Sequence, residues 1–152
     1  MRPLLPSLTD EIIEAVGQEV PAYRRPLEGS FGEGVRRGVG VALSRFVESA
    51  GAPDRTAAGV YIALGRGEYR QGRSLEALLA AYRVGARIAW RRITEAGSSA
   101  GLAPEDLYAL GEALFSYIDA LSAESAEGWA SAQASAAGER QRRRADLVRL
   151  LA

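Results

Sequence analysis

The sequence contains no cysteine, no histidine and no lysine. Without cysteine there are no disulfides, no thiolate nucleophile and no zinc knuckle. Without histidine the commonest general base, the commonest metal ligand and the usual haem ligand are missing. Without lysine neither Schiff-base chemistry nor a P-loop can be assembled. Serines are plentiful, but nothing in the chain can activate them in the usual way. No catalytic residue, metal site or cofactor is therefore expected, and the chain does not read as an enzyme. Long apolar runs are missing too: none approaches the roughly 18 residues that a membrane span needs. The N-terminal MRPLLPSLTDEII turns acidic too soon for a secretory signal. A cytoplasmic protein without membrane contact is expected. No segment alternates long enough for a strand, and no solenoid repeat is present.

What is present suits one domain. The 152 residues can bury about two-thirds of the unfolded surface. All 19 basic residues are arginine, which fits codon bias in a GC-rich genome. The net charge is zero, but it falls in blocks. Residues 1–65 carry −1, residues 66–92 carry +5, residues 93–139 carry −8 and residues 140–152 carry +4. This pattern predicts a basic helix beside an acidic one. Because the blocks cancel, no direct contact with nucleic acid is expected, and Arg140 and Arg142 to Arg144 read as a solvated linker.

Helical periodicity runs through the chain and predicts an all-α bundle of about five helices, without a sheet and with a long C-terminal helix. Ser7 reads as the cap of the first helix, which Pro21 should stop. A second helix is expected from about Ser30 to Ser49. It carries Gly32, Gly34, Gly38 and Gly40, read as places where a neighbouring helix comes close. GAP at 51–53 is a break, with Pro53 opening a third helix that runs from about Asp54 to Gln71. Gly72 should close it in a left-handed conformation. Ser74 caps the fourth helix, whose stripe is Leu75, Leu78, Leu79, Tyr82, Ala86, Ala89, Trp90 and Ile93. Pro104 opens the fifth helix. As one piece to residue 150 it would be roughly 68 Å long, so it must bend, pair with another chain or project, with Gly128 and Gly138 as weak points. Residues 1–138 are read as the bundle and 139–152 as a continuation of the last helix toward an absent downstream domain.

Candidate chemistry is sparse. Glu124 with Glu127, and Asp10 with Glu14, could form carboxylate-only metal sites but read as solvated faces. Arg83, Arg87 and Arg91 make a stripe that, with Arg66, Arg70 and Arg73, could hold an anion bidentately. The same arginines could instead pair with acids of the fifth helix such as Glu112 and Asp119. The candidate ligand-binding set is Arg66, Arg70, Tyr82, Arg83, Arg87 and Trp90, with the two aromatics equally readable as core.

The string LGRGEYRQGRSLEALLAAYRVGARIAWRRI, residues 64–93, resembles the signature of the N-terminal helical domain of PucR/CdaR-type transcriptional regulators, common in actinobacteria, and is similar to that of RsbR-like (RsbRD) stress proteins. Arg66, Arg70, Gly72, Ser74-Leu75, Leu78-Leu79, Ala81-Tyr82-Arg83, Gly85 and Trp90 carry the match. Val20-Pro21-Ala22-Tyr23 resembles a second, shorter motif. Arg140, Arg144, Asp146-Leu147 and Leu150-Leu151 resemble the helix leading onward. The resemblance implies a non-catalytic domain for sensing or dimerisation, a homodimer, a small-molecule effector, and a GGDEF-related and a DNA-binding helix-turn-helix domain downstream. An anion-binding module built on the arginine stripe is the alternative.

Overall fold

The computed structural model describes residues 5–24, 29–48 and 58–152. Among these residues five α-helices follow in order: α1 Leu5–Glu19, α2 Gly29–Glu48, α3 Ala58–Arg70, α4 Leu75–Ser99 and α5 Pro104–Leu151. No strand occurs among the described residues. The expected break at 51–53 and the start of the third helix at Asp54 lie outside them, as does the Gly32 environment.

The punctuation follows local chemistry. Helix α1 already runs from Leu5, so Ser7 sits inside its first turn rather than capping it. Pro6 fits there because a first-turn residue needs no N–H partner within the helix. Val20 is extended and Pro21 opens a 3-10 turn, Pro21–Tyr23, that drops Tyr23 into the core. Gly72 has φ +80°. The Arg73 N–H reaches Glu68 O at 3.0 Å and the Gly72 N–H reaches Tyr69 O at 3.0 Å, the paired bonds of a Schellman stop. Two residues on, the Ser74 hydroxyl accepts from the Ala77 N–H at 3.1 Å and starts α4. The α4–α5 corner repeats the device: Gly101 has φ +78°, Leu102 N–H bonds Gly97 O at 2.9 Å, and Pro104 opens α5.

Helix α4 has α1 on one side and α5 on another. Val84 and Ile88 lie off its expected stripe yet are buried, because two neighbours cover a wider arc than one. The basic helix α4 lies beside the acidic α5, as expected, but their charges do not pair among the described residues. Among the described residues no ion pair joins α4 to α5; Arg87 pairs with Glu19 and Arg92 with Glu11 at 3.6 Å, both on α1. Trp90 packs instead over Gly111 of α5, where a Cβ would come within 2.9 Å of its ring.

The closest helix crossing is α3 on α5. A Cβ on Gly65 would overlap the Ser125 carbonyl, and one on Gly128 would overlap the Ile62 carbonyl. The two backbones touch through both glycines. Gly128 is therefore a packing point, and α5 continues unbroken through it and through Gly138. The glycines of α2 do the opposite. A Cβ on Gly34, Gly38 or Gly40 would meet no described atom within 4 Å, so no described helix approaches closely there.

Candidate functional site

The open space beside those α2 glycines is a cavity of about 310 Å³. Ile12 and Val16 of α1, Gly34, Gly38 and Ala42 of α2, Tyr61 and Leu64 of α3, Tyr82 and Gly85 of α4, and Leu114 and Ile118 of α5 line it, so every helix contributes a wall. The lining is mostly apolar, and its polar groups are few and ordered.

At one end Glu68 and Arg73 are both buried. The Arg73 guanidinium donates to both Glu68 carboxylate oxygens, at 3.0 Å to Oε1 and through Nε to Oε2. The Tyr23 hydroxyl donates to Oε2 at 2.7 Å. Arg73 also donates to Gln71 Oε1 at 2.7 Å, and its guanidinium lies 5.2 Å from the centre of the Tyr23 ring. A buried ion pair survives desolvation only with such additional hydrogen bonds. The hydrogen bond to Glu68 raises the Arg73 pKa above its ordinary value. Burial, with Glu68 beside it, pushes the Tyr23 phenol well up. The backbone explains why Arg73 points inward: it is the single residue between the Gly72 stop and the Ser74 cap, so both neighbours fix its direction. Its carbonyl accepts from the Trp129 indole at 3.1 Å, and Tyr69 stands edge-on to Trp129 at 5.3 Å, which ties this corner to α5.

Two further tyrosine contacts involve residues that line the cavity. Tyr82 and Ser125 hydroxyls are 2.7 Å apart, and Ser125 is fully buried. Tyr117 donates to Ala42 O at 3.0 Å, so the Tyr61 hydroxyl must be the donor in its bond to Tyr117. Burial is the leading cause that raises both the Tyr82 and the Tyr117 phenol.

The triad brings together the two strings singled out in the sequence, since Tyr23 ends VPAY while Glu68 and Arg73 lie in GRGEYRQGRS. The chain belongs to the PucR-like N-terminal domain family. The family model matches residues 1–152, the whole chain. No curated protein and no solved structure matched. Membership marks a regulatory domain of PucR-type regulators.

Of the six candidate ligand-binding residues, only Tyr82 lines the cavity of this PucR-like domain. Arg66, Arg70, Arg83 and Arg87 are exposed, Arg87 with Glu19 as partner, and Trp90 is half-buried in the α4–α5 contact. Glu68, Tyr23 and the Tyr61–Tyr117 pair are not among the residues that the sequence marks as candidates, and Arg73 enters there only as part of the anion-binding stripe. The signal for them is an acid four residues before a Gly-Arg-Ser corner, a pattern that reads as an exposed helix end. Glu124 and Glu127 come near enough for Glu127, together with partial burial as the larger cause, to raise the Glu124 pKa. No cluster of three or more metal-ligating side chains occurs among the described residues.

Proposed function

We propose that this domain senses a small-molecule effector and passes its state through α5 to the domains that follow it in PucR-type regulators. The observation that carries the reading is α5 itself. Its 48 residues form one helix of about 72 Å. Gly111, Leu114, Tyr117, Leu121, Ser125 and Gly128 are buried in the bundle, whereas every residue from Glu139 to Ala152 is exposed. One rigid element therefore joins the cavity wall to a segment with no packing among the described residues of this domain. A solvated helix of that length is marginal in water, so a partner helix is the natural source of its stability. Leu147, Val148, Leu150 and Leu151 supply the apolar surface for it, and a second copy of the domain is the partner we propose. No described helix is long and apolar enough to cross a membrane, and the proposed setting is cytoplasmic, without direct nucleic-acid contact by this domain.

Light scattering at rising concentration tests the pairing. A dimer that Leu147→Glu with Leu151→Glu converts to a monomer is expected, and a wild-type monomer at every concentration would sink it. The absence of native cysteine allows a spin label at Ala145→Cys alone, so that distances between copies report on α5 directly. The exposed arginine stripe supports a second reading. If Arg83 and Arg87 hold an anion, Arg83→Gln with Arg87→Gln should abolish stabilisation by anions.

A further inference from the structure

We infer that the cavity is a binding site for an uncharged, largely apolar small molecule that directs one hydrogen-bond donor at Glu68 and lays its apolar body under α2. This rests on the regulatory reading and deepens it by naming the class of effector.

Four observations carry it. First, the space is built by residues that have no other reason to be there. Glycine in a helix interior costs about 1 kcal/mol relative to alanine. Gly34 and Gly38 line the cavity, have no positive φ, and no described atom stands where their Cβ would be. Neither backbone freedom nor close packing against the described residues explains them. Second, the size fits a ligand. A cavity of about 150 Å³ with apolar walls takes up benzene, and this one is about 310 Å³, which suits two fused rings. Third, the charges cancel. Among the described residues the charged side chains lining the cavity are Glu68 and Arg73, bonded to each other, so a charged ligand would lose its water there without gaining a counter-ion of its own. Fourth, one acceptor position is open among the described residues. A carboxylate offers about four. Tyr23 and the Arg73 Nε occupy Oε2, and Arg73 Nη2 occupies Oε1. A hydroxyl or N–H on the ligand completes the set.

Three probes of one shape separate these claims: 2-naphthol, naphthalene and 2-naphthoate. At about ten times its Kd, 2-naphthol should raise the thermal midpoint of the whole chain by about 3 °C or more. Naphthalene should bind more weakly and 2-naphthoate not measurably. Gly38→Leu, which fills the space from α2, should weaken 2-naphthol by about tenfold or more without lowering the unliganded midpoint. Gly34→Leu is the second variant should Gly38→Leu not fold. Binding of 2-naphthoate as tight as 2-naphthol, 2-naphthol affinity unchanged in the folded variant, or no shift with any probe would overturn the inference. Distances from the Ala145→Cys label, measured with and without 2-naphthol, separate it from the relay. Binding that leaves those distances fixed upholds the cavity site and defeats transmission through α5.

Discussion

Glycine does opposite things on the two sides of this bundle. At the α3–α5 crossing Gly65 and Gly128 let two backbones touch, and any side chain there would strike a carbonyl. Under α2, Gly34 and Gly38 face open space. One side is packed to its limit and the other holds room in reserve. Protein interiors are ordinarily close-packed, so a hollow kept beside a tight crossing points to a use rather than to poor design. The Tyr23–Glu68–Arg73 triad lies at the boundary, with Glu68 on the tightly packed helix α3 and its carboxylate at the cavity.

Glu68→Ala should do the most damage, because it leaves the buried Arg73 guanidinium without its carboxylate. We expect a loss of about 3–5 kcal/mol in chemical denaturation. If the cost is under about 1 kcal/mol, water reaches Arg73 freely and the boundary is not closed. Gly128→Ala comes next, at about 3 kcal/mol, since the clash is with backbone that has no rotamer to change. A neutral result would mean that the crossing can open and that the contrast with α2 is false. Alkaline titration tests the hollow side. Tyr23, Tyr82 and Tyr117 are all held above their ordinary value of 10.0, mainly by burial. The folded chain then keeps protons that the unfolded chain releases above about pH 10. Stability should be level with respect to these groups below that pH and fall above it, by at most roughly 1.4 kcal/mol per tyrosine per pH unit. Equal denaturation midpoints at about pH 9 and about pH 11 would show that the phenols titrate normally. Gly38→Ala should have the smallest effect and the opposite sign, a gain of up to about 1 kcal/mol. A loss would place an unseen neighbour at that position.

Most of the fold was legible because its signals are local. Pro21, Gly72, Ser74 and Pro104 act on their own backbone, and each stands where its chemistry directs. The site was not legible, because it depends on which helix faces which. Charge blocks place α4 beside α5, and the two helices do pack together, but the arginines of α4 pair with Glu11 and Glu19 of α1, which net charge over a long block cannot reveal. Glycine spacing marked α2 as a close-packing surface, yet close approach requires a partner at the same height, and that partner lies at Ile62 and Ser125 for other glycines. Arg73 reads in the sequence as one of a set of arginines that could hold an anion. Only the corner geometry turns it inward onto Glu68.

The long helix that crosses α3 at Gly128 also has a mechanical consequence. From that crossing to Leu151 the chain runs 23 further residues, an arm of about 35 Å. With the crossing as a fulcrum, a tilt of about 5° swings the tip by about 3 Å, close to half a helical turn. A rearrangement too small to change the bundle's own packing would then be large where the arm ends.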